Sequence, residues 1–546
     1  MKKIIIIFAL IIVLVSCKKS ELQLLNPTSP TPEGALASVK GVEQFAFGIW
    51  NKLRDGGNNL LIHSMEMHSF MGDEQWSSVG NFGWRYVNQV DKITLPAPYN
   101  TVVPSVLGLN QPDQLKALNN LSATNGSFTN AIVYEWNMGY YVNGQANFLL
   151  SAIENPTLTF PAVEKTTLQA WAYWWKGFSY SRIGSMYLAG VINDKSDGTT
   201  NQTYVTRQAI ITEANANFDK AIALLATIPA GDAVYTSTMN AIIPSFNLTT
   251  PMVSPAMWIR ACNTYKARNI MVNKKVSEMT STDWNTVKTL ATAGLIKGDA
   301  TFVLGMAADG LNDLSLNIQQ HVYQWNSANM NPGWAFPSER WIQDFKAGDA
   351  RFTKGLKPLA ASAVEVNRSA RGIQFGTRYV FQTIEAGGYW TTDSKKGQVQ
   401  FAGSWEENSL MLAEANIRTG AVELGLPFID LVRSSNGAEL AAITGTGLST
   451  AAALDELRSE RRVALTLRGL AFYDARRWGL TTKASAGGGR ANANVIVPNS
   501  ILGITPAAGW TLLPTLMDYN YLDYWDVPVS EFSYNAPVAG GPVIAN

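Results

Sequence analysis

Cysteine and histidine are scarce in this sequence, which has 2 Cys and 3 His among 546 residues. Two cysteines cannot make a disulfide framework or a four-cysteine zinc site, and three histidines leave little room for a histidine metal centre. His63 and His68 would lie about 140° apart on a helix, which makes them poor co-ligands. We therefore expect neither a bound metal nor another cofactor.

Net charge is also lacking. The chain has 43 Lys+Arg against 42 Asp+Glu, so no basic surface dominates it. This balance argues against nucleic acid binding, which depends on neutralising phosphates. A hydrophobic fraction of 46% with 16% charged residues is typical of a globular chain that buries a large core.

The apolar run near the N-terminus is too short to span a membrane. It covers residues 4–15 after a basic start, whereas a span needs about 20 residues. This length is typical of a signal-peptide core. The run ends in Leu14-Val15-Ser16-Cys17, which fits a bacterial lipobox. The alternative is an ordinary secretory signal that happens to contain a cysteine.

The lipobox predicts a signal peptide over residues 1–16 and lipidation of Cys17. Acyl chains gain roughly 0.8 kcal/mol per buried CH₂, and several of them anchor a protein stably. Residues 17–38, with three prolines, are expected to form an extended tether. Residues 39–546 are expected to form a single domain.

Helical periodicity is concentrated in separate blocks. An opening helix over 39–53 is followed by helical blocks at about 131–276 and 405–480, with apolar residues at three- to four-residue spacing. Consecutive amphipathic helices with short turns predict stacked hairpins that resemble degenerate tetratricopeptide pairs. Loop insertions are expected at about 56–125 and 277–400. The predicted fold is therefore mainly α, and the stretch 480–546 shows no long period.

Common catalytic motifs are missing. The sequence has no H-E-x-x-H, G-x-x-x-x-G-K-[ST], G-x-S-x-G or C-x-x-C pattern. Adjacent acids occur at Asp73-Glu74 and Glu406-Glu407. A glycosidase needs two acids that face each other across a cleft, and adjacency does not imply that arrangement. A surface glycoside hydrolase is kept as an alternative from another functional class.

The segment 457–479, LRSERRVALTLRGLAFYDARRWG, resembles the hallmark of the SusD/RagB family, which are surface lipoproteins of Bacteroidetes. Four other stretches resemble the family in the same order along the chain: 171–184, 337–345, 349–351 and 405–416. The sequence departs from the family at Ala464 and Arg468, where glutamate is usual, and at Ala471, where arginine is usual. Arg468 would need an acid partner, either Asp474, Glu460 or a residue from another helix.

The resemblance implies a SusD-like α-helical scaffold with long irregular insertions that carry the ligand site. It also implies a protein without catalytic activity, lipid-anchored in the outer membrane at the cell surface, that works with a SusC-like TonB-dependent transporter. Its ligand would be an oligosaccharide; capture of peptides is the alternative within the family. The motif residues themselves are expected to belong to the scaffold.

Loop tryptophans and polar residues are the candidates for ligand contact, because aromatic faces pack against the C–H surfaces of neutral sugars. The alternative for each tryptophan is a buried core residue. The helical Trp171, Trp174 and Trp175 are expected in the core. The candidates in the two insertions are Asp73, Trp76, Asn81, Trp84, Arg85, Trp325, Trp334 and Trp390.

A Cys17→Ala variant is expected to lose lipid attachment, because the acylated thiol is gone. Labelling cells with radioactive palmitate measures this directly. Continued labelling of the variant would refute the lipobox prediction.

Overall fold

Helices dominate the described part of the chain, as predicted. The computed structural model describes residues 32–52, 60–77, 83–105, 110–121, 130–243, 252–305, 335–359, 364–366, 376–381 and 398–546. The predicted signal peptide, Cys17 and most of the predicted tether lie outside these ranges. The end of the tether differs from the extended prediction, because Pro32–Ala35 forms a helical turn. None of the described helices combines the length and hydrophobicity of a membrane span.

The helices are numbered in chain order. They are α1 Pro32–Ala35, α2 Val39–Lys52, α3 Leu60–Met71, α4 Trp84–Val87, α5 Gln111–Leu121, α6 Ile132–Ile153, α7 Ala162–Met186, α8 Arg207–Leu225, α9 Ala233–Ile242, α10 Pro255–Val272, α11 Ser281–Thr292, α12 Glu339–Ile342, α13 Ala350–Gly355, α14 Trp405–Arg418, α15 Val422–Ser435, α16 Thr450–Ala464, α17 Ala471–Arg477 and α18 Asn499–Leu502.

The described strands are short, except for one hairpin. They are β1 Gln75–Ser77, β2 Lys92–Thr94, β3 Val102–Pro104, β4 Ala189–Val191, β5 Tyr204–Thr206, β6 Val303–Gly305, β7 Ala335–Pro337, β8 Leu356–Pro358, β9 Glu365–Val366, β10 Gly376–Thr377, β11 Tyr379–Phe381, β12 Gln398–Gln400, β13 Arg490–Pro498 and β14 Trp510–Asp518. One four-stranded sheet has the order β13-β14-β2-β3, and the other described strands pair two by two.

The long helices stack in sequence order into one scaffold. Helix α6 packs on α7, α7 on α8, α8 on α10 and α10 on α11. The stack then continues from α11 to α14 and α15. This order fits the predicted stack of helix hairpins. Helix α11, at Ser281–Thr292, lies inside the predicted loop insertion over 277–400, so the insertion starts later than expected and the scaffold extends through α11.

Helix α8 shows how local sequence specifies an element. The Thr206 side chain accepts a hydrogen bond from the Ala209 N–H at 3.3 Å and caps the helix. An apolar stripe at helical spacing is fully buried: Ile210, Ala214, Phe218, Ala221 and Leu225. The stripe packs closely on α7, because a Cβ atom on Gly177 would lie 2.6 Å from the Phe218 ring.

The helical tryptophans form the centre of the core, which confirms their predicted role. Trp171, Trp174 and Trp175 are all fully buried. Phe302 meets Trp174 edge to face, with ring centroids 5.3 Å apart, and Phe401 stacks on Trp175 at 5.7 Å. Phe302 directly precedes β6, and Phe401 directly follows β12. The β6–β12 ladder is therefore fixed to the scaffold by aromatic packing.

The long hairpin of β13 and β14 was missed by the sequence analysis. Its strands lack strict apolar alternation, and Pro514 lies inside β14. The hairpin is completed by β2, where Met517 pairs with Ile93. Because this partner is about 400 residues away, a local reading of the pattern could not find the sheet.

Buried ion pairs occupy the motif that resembles the SusD/RagB family. Arg351 binds Glu460 at 2.7 Å, and Asp474 accepts from Arg461 at 2.9 Å. Arg477 reaches Glu414 on α14 at 2.7 Å. Arginine suits such sites because its planar fork satisfies a carboxylate with two hydrogen bonds. These residues belong to the scaffold, as expected.

Arg468 finds its partner on another helix, which was one of the three options. Its guanidinium lies 3.1 Å from the Glu406 carboxylate at the start of α14 and also donates to the Ser404 hydroxyl. Asp474 and Glu460 are already paired with other arginines. Helix α16 ends at Ala464, and the turn that follows contains Leu467 with a left-handed φ of 60°.

We expect Arg468→Met to lower the free energy of unfolding by about 3–5 kcal/mol, because it leaves the Glu406 carboxylate buried and unpaired. Adding Glu406→Leu should recover most of that loss, since an apolar pair of similar volume no longer buries a charge. Urea denaturation of the two variants and the native protein measures both effects. A single variant as stable as the native protein would contradict this role for the pair.

Candidate ligand-binding face

A short antiparallel ladder brings the two predicted insertions together. Strand β1 pairs with β7, with Trp76 opposite Phe336 and Ser77 opposite Ala335. In an antiparallel pair, the chain leaving β1 and the chain entering β7 lie at the same end. The segments that follow Ser77 and precede Ala335 therefore begin side by side. These segments carry Asn81, Trp325 and Trp334, which lie outside the described residues.

A second antiparallel ladder brings the segment that carries Trp390 next to the chain that leaves β6. Strand β6 pairs with β12, with Gly305 opposite Gln398. The chain after Gly305 and the chain before Gln398 therefore share one end of this ladder. The segment before Gln398 carries Trp390, which also lies outside the described residues.

The turn at residues 466–469, between α16 and α17, connects the surroundings of both ladders. The Leu467 N–H donates to the Glu74 carboxylate at 3.2 Å, directly before β1. The adjacent Arg468 binds Ser404 and Glu406, shortly after β12. We name these two ladders together with the 466–469 turn the loop platform. It places the starting points of the candidate segments on one connected framework.

Two of the candidate tryptophans are core residues, which corrects the expectation that they face a ligand. Trp76 is 1% exposed and stacks on Phe336 with centroids 5.0 Å apart. Trp84 is 0% exposed and packs on Phe70 at the same distance. Pairing with β7 covers Trp76, and Phe336 is 260 residues away in sequence. A ring without exposed area has no face to offer a sugar.

Asp73 also belongs to the framework and not to an open surface. Its carboxylate accepts hydrogen bonds from Arg340 at 2.8 Å, from the Tyr519 hydroxyl at 2.7 Å and from the Ser338 hydroxyl at 3.1 Å. Burial opposes ionisation, but the Arg340 guanidinium outweighs it and holds the pKa of Asp73 below its usual range. The Asp73 carboxylate therefore anchors the chain just before β1 to Arg340, Ser338 and Tyr519.

Arg85 is the described candidate that keeps access to solvent. It is half-buried, its guanidinium lies 4.5 Å from the centroid of the Tyr86 ring, and it donates to the Tyr86 hydroxyl. A cation over an aromatic ring gains about 0.5–1 kcal/mol at exposed sites. This pair presents a flat surface and hydrogen-bond donors together. Tyr86 was missed by the sequence analysis, although it directly follows a candidate residue.

Trp510 is a second residue that the sequence analysis missed. Among the tryptophans whose side chains the structure describes, Trp478 and Trp510 are the ones that are not buried. Trp478 lies beside the guanidinium of Arg477, 4.9 Å from the ring centroid. Trp510 lies at the end of the β13–β14 hairpin, opposite Pro498. The sequence analysis overlooked Trp510 because residues 480–546 show no recognisable period.

The adjacent acids do not form the cleft that glycoside hydrolysis needs. Asp73, Glu74, Glu406 and Glu407 are all buried. Asp73 and Glu406 are paired with arginines, and Glu407 lies in an ion pair with Arg268. The scaffold therefore already binds the carboxylates of Asp73, Glu406 and Glu407. This geometry gives no support to the hydrolase alternative.

His68 lies inside the core and contacts a carboxylate. Its Nε2 atom is 3.1 Å from Glu135, which also forms an ion pair with Arg182 at 2.8 Å. Burial lowers the pKa of His68 below its ordinary value, against the attraction of Glu135. The side chain of His63 lies outside the described part. Within that part, no group of three or more His, Cys, Asp and Glu could hold a metal ion.

We expect Trp76→Ala and Trp84→Ala each to lower the free energy of unfolding by about 3–5 kcal/mol, as is usual for truncating a buried aromatic residue. Trp510→Ala is the matched control, because its ring is not buried and its loss leaves no core cavity. Chemical denaturation compares the three. Native-like stability of the Trp76 and Trp84 variants would show that these rings do not pack in the core.

Solved structures show a clear likeness, whereas no family model and no curated protein matches the sequence. A SusD-like carbohydrate-binding protein of Bacteroides vulgatus aligns with a TM-score of 0.56 and 12% identity over 93% of this chain and 98% of its own. A SusD-like protein of Bacteroides fragilis gives 0.52 and 14% over the same shares. A SusD-like carbohydrate-binding protein of that organism gives 0.50 and 15%, over 88% and 99%. This chain therefore has the SusD-like fold that its motifs predict.

Proposed function

We propose that this protein belongs to the SusD/RagB family and captures oligosaccharides at the cell surface for uptake through a TonB-dependent outer-membrane transporter. The observation that carries the proposal is the loop platform, because the aromatic-rich segments all begin at this one connected framework. Two of the aligned structures are carbohydrate-binding proteins, which supports the same class of ligand.

The chemistry of the available residues suits a neutral sugar. Trp325, Trp334 and Trp390 would supply aromatic faces, and Asn81 would supply an amide. Arg85 with Tyr86 adds a donor beside a flat ring on the described surface. A site of this kind orients its ligand with a few polar groups and needs no strong net charge.

Binding without turnover fits the positions of the acids. The four acids considered for hydrolysis are buried in the scaffold. The proposed action is therefore capture and delivery, with no bond made or broken. The lipidated Cys17 and the proline-containing tether would hold the folded part at the outer membrane, next to a SusC-like transporter.

We expect soluble protein lacking residues 1–17 to bind oligosaccharides on an array that also carries peptides. Selective binding of peptides would replace the proposal with peptide capture. Release of new reducing ends from a bound oligosaccharide would overturn the assignment as a binding protein.

Among variants, we expect Trp325→Ala, Trp334→Ala and Trp390→Ala to weaken binding of the array-selected oligosaccharide. A loss of about 1.4 kcal/mol for a stacking ring corresponds to a tenfold rise in Kd. Arg85→Ala should also weaken binding. Trp478→Ala is the matched control, because that ring lies beside arginines of the motif. Titration calorimetry measures the affinities, and unchanged affinity in all four site variants would exclude this face.

A further inference from the structure

Glu74 differs from the buried acids around it. Its side chain is 3% exposed, yet in the described part of the chain it forms no ion pair. Asp73, Asp474 and Glu406 are buried as well, and each is paired with an arginine. A buried carboxylate without such a partner is costly, and the neutral form is favoured instead.

The guanidinium that acts on Glu74, that of Arg462, is already committed to other groups. The Arg462 guanidinium binds Asp344, and it donates to the carbonyl oxygens of Gly72 at 2.7 Å and Asp73 at 2.9 Å. The described hydrogen bond of the Glu74 carboxyl group comes from the Leu467 N–H at 3.2 Å. Glu74 therefore has a polar partner but no partner that neutralises its charge.

The surroundings of Glu74 come from four elements. Ser69 lies on α3, Arg462 on α16, Leu467 in the 466–469 turn and Asp474 on α17. Burial has the largest effect and opposes ionisation, as does the negative charge of Asp474. The Arg462 guanidinium and the hydrogen bonds from Leu467 and Ser69 favour the carboxylate but do not outweigh burial. Together they raise the pKa of Glu74 to about 7. Its charge therefore changes near neutral pH.

Glu74 also lies where three segments join. Its N–H donates to the Ser69 carbonyl at 2.9 Å, and its own carbonyl accepts from the Ser338 N–H at 2.9 Å, just after β7. Its side chain reaches Leu467, which has a left-handed φ of 60°. A non-glycine residue keeps such a backbone conformation only when its surroundings hold it. The Glu74 contact is one of the interactions that hold the turn.

We propose that Glu74 is a proton-linked clasp of the loop platform: its carboxyl group is neutral where it joins the β1–β7 ladder to the 466–469 turn, and release of its proton to solvent leaves an uncompensated buried charge that loosens this junction. Any effect on ligand binding rests on the function proposed above. The clasp itself is a property of the fold and is tested without a ligand.

The direction of the pH effect follows from the two protonation states. The folded protein binds this proton up to pH about 7, whereas the unfolded chain releases it near the ordinary glutamate pKa of 4.5. The stabilisation is fully present below that lower value and is lost as the pH rises through about 7. The folding equilibrium constant would change by roughly three hundredfold across this range, because each pKa unit is worth a factor of ten.

The test uses protein comprising residues 18–546, unfolded in urea at several pH values between about 5 and 8.5. Glu74→Gln keeps an oxygen acceptor for the Leu467 N–H but cannot ionise. We expect the native protein to lose stability relative to Glu74→Gln as the pH rises. Glu154→Gln, at an exposed glutamate, is the matched control and should follow the native profile. Parallel profiles of the native protein and Glu74→Gln would overturn the clasp.

A second measurement keeps the test decisive if Glu74→Gln does not fold. Infrared spectroscopy of the native protein detects the carbonyl band of a protonated carboxyl group, which most surface acids lack above pH about 5. We expect this band to disappear with a midpoint near neutral pH. No protonated carboxyl group at pH about 5.5 would overturn the proposal.

Regulation of binding is tested separately with the oligosaccharide selected on the array. We expect its affinity for the native protein to fall as the pH rises, and its affinity for Glu74→Gln to change less. If the affinity of the native protein does not change with pH, the clasp affects only the stability of the fold, and its regulatory role is overturned. If no array glycan binds at all, the proposed function fails, while the unfolding profiles still decide whether the clasp exists.

Discussion

Buried pairing between arginine and carboxylate groups joins segments that are far apart in the chain. Arg340 binds Asp73, Arg351 binds Glu460 and Arg477 binds Glu414, all at distances below 3 Å. Taking these charges out of water is expensive, and the cost is offset only when each donor and acceptor finds its partner. The arrangement of helices around the motif therefore depends on all of these segments being in place together.

The same pairing positions the region assigned to ligand binding. Asp73 precedes β1, Arg340 follows β7, and Glu406 follows β12, so each ladder has a buried charge close by. Rigid anchoring at the start of a segment reduces the entropy that must be lost when it orders around a ligand. Glu74 is the exception within this arrangement, because its charge is not compensated by an ion pair. A site can thus be firmly attached and still contain a group that responds to pH.

Much of the scaffold was predictable because its signals are local. Thr206 caps α8, and the stripe that includes Phe218 has helical spacing, so both could be recognised without knowing any neighbour. Trp171, Trp174 and Trp175 were assigned to the core for the same reason. Arg468 could be recognised as needing an acid, but three acids were compatible with the sequence. Glu406 is the partner because α14 brings it to the turn, which no local pattern encodes.

The roles of the loop aromatics were not predictable in the same way. Trp76, Trp84 and Trp510 all occur in stretches without helical period, yet the first two are buried and the third is not. Local sequence was sufficient for helix positions, caps and the need for charge compensation, since each depends on neighbours within a few residues. Long-range pairing settled which aromatic rings are covered and which acids are neutralised. The physical reason is that burial depends on the segment packed against a residue, and here that segment is often hundreds of residues away.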